Sequence, residues 1–414
     1  MNKGKTFVPK LRFPQFQEAE RWEERKIGDF LIESRLPGSK GDIAKKITVK
    51  LWGNGVFEKN DTIQGSINTQ YFRRKSGQFI YSKLDFLNQA FGVIPPSLDN
   101  FESTVDLPCF DIVDELNSVF LLEYVKRKDF YERLGETADG SRKARRIHAE
   151  TFLSFSIDFP APPEQQKIAD CLSSVDELIT VQGRKLDALK THKKGLMQQL
   201  FPREGQTQPR LRFPEFQKAG DWEERKLGTV CEIQRGRFSH RPRNDPKFFG
   251  GKYPFIQTGD VVRSEGGSIT ASQSLNEEGL AVSKLFKPTI VLITIAANIG
   301  DTGLLLTEGC FTDSVAGLIP KKGVIPVFLE LVMQGRKEHL NKIATTGAQK
   351  NINNEILRDV SIRLPYIPEQ QRIADCLTSL DTLITAAAQE LDTLKTHKKG
   401  LMQQLFPSAE ALEA

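Results

Sequence analysis

The residues of this 414-residue chain best equipped for chemistry are basic, and they stand in polar loops. Arg73, Arg74 and Lys75 form one run, with Lys83 soon after; Arg142, Lys143, Arg145 and Arg146 form another beside Gly140 and Ser141. The second half carries Arg235, Arg237, Arg241, Arg243 and Lys247. Two further loops are rich in amides and hydroxyls, one with Gln64, Ser66, Asn68 and Gln70, the other with Gln349, Lys350 and Asn351. Lysine and arginine in such loops neutralise phosphates, and Arg, Asn and Gln can each grip a base edge through paired hydrogen bonds. A charge run is more often a solvated face, so one cluster says little by itself. A cluster in each half says more.

Signatures of catalysis are missing. Gly4-Lys5-Thr6 has no glycine upstream where a phosphate-binding loop needs one. Pro95-Pro96 and Pro162-Pro163 lack the neighbours of an amino-methyltransferase tetrad. The E-x-K triplets at Glu24 and Glu224 lack the Pro-Asp of a nuclease core. Neither a G-x-S-x-G elbow nor an H-E-x-x-H helix occurs. His192 and His397 have no carboxylate or cysteine at ligand spacing, and the five cysteines (Cys109, Cys171, Cys231, Cys310 and Cys376) include no C-x-x-C pair. These spacings predict no metal, no disulfide framework and a reducing compartment.

Composition bounds the rest. Hydrophobic residues make up 39% and charged residues 27%, with 27 Phe, enough to fill more than one core. The 58 basic against 53 acidic residues leave +5, which permits a polyanionic partner without demanding one. The longest apolar run, Val291 to Ala297, is far short of a membrane span, and the start MNKGKTFVPK has no apolar stretch after it. The expectation is a cytoplasmic protein.

The elements that must position the basic loops are announced by an internal repeat. Residues 11–28 and 211–228 differ at 5 of 18 positions, and the 40-residue segments starting at Pro163 and Pro368 differ at 10. Between them, residues 29–157 and 229–362 show no visible alignment. Each half is thus a constant entry, a variable body and a constant long segment, and the polar stretch 203–209 joins the halves. Fixed parts must fit each other or a common partner; variable parts face different targets.

The long constant segments predict helices. Proline and glutamate open each one, which suits the first turn. Apolar residues then recur in steps of three and four: Ile168, Leu172, Val175, Ile179, Leu186 and Leu189 in the first, Ile373, Leu377, Leu380, Ile384, Leu391 and Leu394 in the second. That alternation is a coiled-coil seam, predicting that the two helices pair, antiparallel, as a stiff spacer. The motif Thr-His-Lys-Lys-Gly-Leu-Met-Gln-Gln-Leu-Phe-Pro, at 191–202 and 396–407, is the most strictly repeated piece. It reads as a partner-docking surface through Lys193, Lys194, Lys398, Lys399, Leu196, Met197 and Phe201, or else as a solvated helix end. The bodies mix short β-branched runs (78–81, 289–295) with brief helices such as 327–340, so the fold class is α+β.

With these residues in view, the chain resembles the specificity subunit of type I restriction–modification enzymes. The carriers are Pro-Glu-Gln-Gln-Lys/Arg-Ile-Ala-Asp at 163 and 368, the duplicated layout, and in the second body Tyr253 to Asp260 and Thr312 to Pro320. In the first body they are Phe79 to Leu84 and Ala90 to Ile94. The resemblance implies two target-recognition domains (1–160 and 203–365), joined by conserved helices (161–202 and 366–414) with pseudo-two-fold antiparallel pairing. It implies that each domain reads half of a bipartite, asymmetric double-stranded DNA site. It further implies two methyltransferase subunits docked on the helices and restriction subunits in the full complex. S-adenosylmethionine, ATP and magnesium then belong to those partners. A coiled-coil adaptor joining two non-DNA ligands, and a self-sufficient methyltransferase or nuclease, are the competing readings.

Overall fold

The computed structural model describes residues 6–60, 65–135, 146–240, 242–296, 298–346 and 351–407. The chain divides into two compact units that do not follow chain order: residues 1–183 with 389–414, and residues 184–388. Each unit therefore holds one variable body, the start of one long helix and the end of the other.

In the first unit the body is built on four strands, β1 (Leu31–Glu33), β2 (Phe79–Tyr81), β3 (Phe91–Val93) and β4 (Cys109–Ile112), in the order β1-β4-β2-β3. All neighbours are antiparallel. Phe79, Ile80 and Tyr81 are fully buried, so both faces of this sheet are covered. On one face the aromatic residues interlock, with Tyr81 4.8 Å from Phe152 and Phe86 4.9 Å from Phe91 between ring centres. Ile47, Val56, Ile80, Ile94 and Cys109 form a second cluster. A hairpin of Ile47–Val49 with Val56–Glu58, and a small sheet of Pro37–Lys40, Gln70–Arg73 and Glu102–Ser103, complete the body.

In the second unit β5 (Cys231–Arg235), β6 (Ile290–Thr294), β7 (Thr302–Leu305) and β8 (Val315–Pro320) form an all-antiparallel sheet in the order β5-β8-β6-β7. This is the order of the first unit. Two bodies with no visible alignment thus share one sheet, because a covered strand needs only apolar side chains of suitable volume. They differ in the second layer. Here it is a four-stranded sheet around Phe249–Ile256, which includes one parallel pair with Gly309–Phe311. The stretch expected as one helix over 327–340 is two, Pro326–Gly335 and Lys337–Thr346, broken at Arg336.

Each long helix has 39 residues, Pro162–Leu200 and Ile367–Leu405, or about 58 Å at 1.5 Å per residue. In the first unit Ile168 and Leu172 share a core with Leu401, Leu405 and Phe406, and Asp176 meets Lys398. In the second unit Ile373 and Leu377 share a core with Leu196 and Leu200, and Asp381 meets Lys193. Rising numbers on one helix meet falling numbers on the other, so within each unit the segments run antiparallel. Val175 is buried; Ile179, Leu186, Leu189, Leu380, Ile384, Leu391 and Leu394 are half-buried. Off the seam, Leu178, Val181 and Leu383 stand more than half exposed.

Candidate nucleic-acid interface

The constant segments explain themselves as clamps. Arg12 grips Glu164 through Nε (2.8 Å) and Nη2 (2.7 Å), and the same guanidinium donates to the carbonyls of Ala19 and Glu20. Arg212 repeats this with Glu369 at 2.7 Å on both oxygens, and with the carbonyls of Ala219 and Gly220. The next residue along each helix ties it to the body. Gln165 accepts from the Asn117 amide and donates to the carbonyls of Glu115 and Pro160; Gln370 accepts from Ile325 and donates to Gly323 and Pro365. Both sets hold the helix start against the loop that leaves the far end of β4 or β8.

The far ends of the helices dock just as specifically. Phe406 lies 6.2 Å from Trp22 and 5.4 Å from Phe120; Phe201 lies 6.0 Å from Trp222 and 5.5 Å from Phe328. This corrects the expectation of a partner-docking face. Leu196, Met197 and Phe201 turn inward onto the second core, because the entry tryptophan offers them an apolar seat. Lys193 and Lys398 are likewise committed internally. Lys193 lies 2.6 Å from Asp381; Lys398 lies 2.7 Å from Asp176 and 2.8 Å from Glu123. Burial pushes the Glu123 carboxyl up, but Lys126 and Lys398 outweigh it and hold it below the ordinary carboxylate range. Lys194, Lys399, His192 and His397 remain exposed.

In the second unit the basic residues gather at one end of the sheet. Arg235 closes β5, beside the start of β8 and the end of β6. Its Nε donates to the Asp313 carbonyl, and Arg243 Nη2 donates to the Asp313 carboxylate at 2.7 Å. The neighbouring Ser314 carbonyl accepts from Ile295, and Ala296 bridges to Asn351. Arg235, Arg243 and Asn351 therefore converge on one edge, although they are far apart in sequence. Arg237, on the loop leaving β5, is exposed, and its guanidinium has no ion partner among the described residues. Lys247 lies further along that loop, 3.7 Å from Asp245 and above the Phe248 ring. The helix clamp of Gln370 sits past Pro320, at the opposite end of the same sheet.

The first unit repeats this polarity with fewer of the expected residues. Lys83 follows β2, donates its amide to Asp106 and accepts from Ile147, and Arg146 reaches within 3.9 Å of Asp106. These lie at the sheet end that corresponds to Arg235. Lys75 precedes β2 and so lies at the other end, its Nζ 2.7 Å from Asn100. Arg73 is exposed at the end of its strand.

Arg74 is a correction. It is 2% exposed and donates to the Ser103 hydroxyl and to the carbonyls of Ser34, Thr104 and Leu107, so it is unavailable to phosphate. These four acceptors satisfy most of the guanidinium's N–H donors, which is why an arginine is tolerated there. Arg142, Lys143, Arg145, Arg241, Gln349, Lys350 and Gln64 lie outside the described residues.

One buried acid escaped the sequence reading. Glu330, 1% exposed, accepts from Thr302 Oγ1 at 2.6 Å and from Gln334 Nε2 at 2.8 and 2.9 Å. Burial pushes its carboxyl up to about 7, against the pull of those hydrogen bonds and of Lys193. Its only sequence signal is a charge inside an otherwise apolar helical run. Burial also pushes the Cys109 and Cys231 thiols up to about 12, which leaves them poor nucleophiles. No group of His, Cys, Asp and Glu among the described residues could hold a metal ion, and no helix among them is long and apolar enough to cross a membrane.

Against known proteins, residues 19–191 and 219–396 each match the family model described as the type I restriction modification DNA specificity domain. The MjaVIII specificity subunit of a Methanocaldococcus jannaschii type I restriction enzyme is 25% identical, over 94% of this chain and 92% of its own length. The MjaX specificity subunit of the same organism is 24% identical, over 70% of this chain and 66% of its own. The crystal structure of the S subunit of a type I restriction–modification system from M. genitalium superposes with a TM-score of 0.60 at 16% identity, covering 97% of this chain and 99% of that one. At that identity the likeness is one of fold.

Proposed function

Because the chain belongs to the type I restriction–modification specificity family, in which this subunit recognises DNA and catalyses nothing, we propose that each of its two bodies reads one half of a bipartite, asymmetric duplex site. The observation that carries this reading is the shared polarity of the bodies. In each, basic loops gather at one end of the four-stranded sheet, while the helix clamps hold the other. Arg235, Arg237, Arg243, Lys247 and Asn351 serve one half-site; Lys83, Arg146 and Arg73 serve the other. Unlike second layers give unlike half-sites. The paired helices set the spacer between them, and their exposed Leu178 and Leu383, at matching positions of the repeat, face two methyltransferase subunits. S-adenosylmethionine, ATP and magnesium act in those subunits and in the restriction subunits.

Methylation mapping of DNA exposed to the assembled methyltransferase complex tests the reading. The expected outcome is one motif of two unequal halves at fixed separation. Combined substitution of Arg235, Arg237 and Arg243 by alanine should relax one half and leave the other and the assembly intact. Loss of assembly, or an unchanged motif from the intact assembly, would contradict the division of labour. The adaptor reading predicts binding that ignores salt, whereas phosphate contacts make affinity fall steeply as salt rises.

A further inference from the structure

Three tryptophans occur, and two of them, Trp22 and Trp222, are buried in equivalent aromatic seats. The third is unlike them. Trp52 is 62% exposed at the tip of the hairpin formed by Ile47–Val49 and Val56–Glu58, an element with no counterpart among the described residues of the second body. Its φ is +60°, in the left-handed region that disfavours a bulky side chain. Glycine or asparagine would hold that turn without strain, and an indole so exposed contributes little packing in return.

The surroundings hold this conformation firmly. The Trp52 amide donates to the Asn88 carbonyl at 2.8 Å and the Gly53 amide to Gln89 at 2.9 Å, while Lys50 donates to Gly55 across the tip. The Asn54 side chain closes the loop on the Leu51 carbonyl at 2.8 Å. Asn88 and Gln89 join β2 to β3, at the sheet end where Lys83 and Arg146 stand. Residues 40–59 carry Lys40, Lys45, Lys46, Lys50 and Lys59 against Asp42 and Glu58, and Lys50 Nζ lies 4.2 Å above the Phe57 ring. A rigidly presented, strained, outward aromatic in a positive segment fits a polyanion that offers apolar surface between its charges. Duplex DNA is such a partner, with phosphates flanking base edges and sugar faces in its grooves.

We propose that Trp52 is a DNA-contacting residue of the first body, its indole entering a groove of the half-site that this body reads. The inference rests on the DNA-reading function above and adds a named contact to it. An apolar wedge of this kind ranks the base steps that admit it, by their ease of opening, and so contributes to sequence preference.

The test uses the full chain assembled with its methyltransferase subunits and a short duplex carrying the methylation-mapped site. Trp52→Ala should weaken binding between about five- and a hundredfold, the range seen when an aromatic contact to a base is removed. Binding to a duplex whose first-body half-site is scrambled should be the same for Trp52→Ala and wild type. Trp52→Phe supplies a second readout, since the difference in acrylamide quenching between it and wild type isolates the Trp52 indole. That difference should be large in the free complex and shrink when the cognate duplex binds. If the wild-type complex binds no duplex, the DNA-reading function itself falls. If it binds but Trp52→Ala matches it, with the indole still quenchable, only the assignment of Trp52 falls. Protection of the indole by the methyltransferase subunits without DNA would also overturn the assignment, in favour of a protein contact.

Discussion

Glu330 makes the stability of the second unit depend on pH in a calculable direction. Its carboxyl titrates at an ordinary 4.5 when exposed and is pushed up to about 7 in the fold. Below 4.5 both states hold the proton, and the group is neutral in the balance. Between 4.5 and about 7 the unfolded chain has released the proton while the fold retains it, so stability falls as pH rises. At 1.36 kcal/mol per pH unit, the loss reaches about 3 kcal/mol above neutrality. Glu330→Gln keeps the shape and can still accept from Thr302 Oγ1, but it has no proton to lose. The assay is urea unfolding of both proteins near pH 5 and near pH 8, read by hydrogen exchange in the helix Pro326–Gly335. Other titrating groups are common to the two proteins, so the difference between them isolates Glu330. The variant should be close to wild type at the lower pH and more stable by about 3 kcal/mol at the higher. Equal differences at both pH values would refute the reasoning. A variant weaker at the higher pH would show that Lys193 holds a carboxylate there.

The clamps, the buried arginine and the helix pair give further tests. Glu164→Ala removes the carboxylate from the half-buried Arg12, which keeps the Ala19 and Glu20 carbonyls, and should cost about 1–3 kcal/mol in urea unfolding, while replacing both residues by methionine should recover most of it. Arg237→Ala should lower the slope of log affinity against log salt by about 1. Arg74→Ala should instead destabilise the first unit and leave the slope unchanged in protein that remains folded. Inserting about seven residues at matching points of both long helices adds roughly 10 Å, or about 3 bp at 3.4 Å each. Methylation mapping should then show the spacer lengthened by that amount, and an unchanged spacer would count against the helices as its ruler.

What the sequence made legible followed from periodicity and repetition. The seam from Ile168 to Leu189, and from Ile373 to Leu394, is a one-dimensional pattern that needs no long-range knowledge, and its positions are the buried or half-buried ones. The β-branched runs became Phe79–Tyr81 and Ile290–Thr294 for the same reason. The candidate interface was harder to see. Arg74 and Arg73 are adjacent and both basic, yet one lies beneath the loops and the other is exposed, because Arg74, just past the end of its strand, turns in to the Ser34, Thr104 and Leu107 carbonyls. Lys75 and Lys83 flank one short strand and so finish at opposite ends of a sheet. That Arg235, Arg243 and Asn351 share an edge depends on which strands pair, and residue types do not show it.

The common sheet of the two bodies was invisible for a related reason, and it bears on why the constant segments stay constant. A short Val-Phe-Leu run, at 119–121 and 327–329, is the main sequence trace of the shared scaffold. It is retained because Phe120 and Phe328 form the seat for Phe406 and Phe201. The residues that anchor the long helices at both ends are therefore held in type: the entry arginine and tryptophan, the Glu-Gln pair and the terminal phenylalanine. Strand residues that touch only their own core are free to exchange apolar for apolar. The loops at the far end of the sheet touch neither and can change freely. A body attached this way can alter the surface it presents without disturbing its hold on the helices, and the two bodies of this chain have done so to the point where their sheet order shows the relationship more plainly than their sequences.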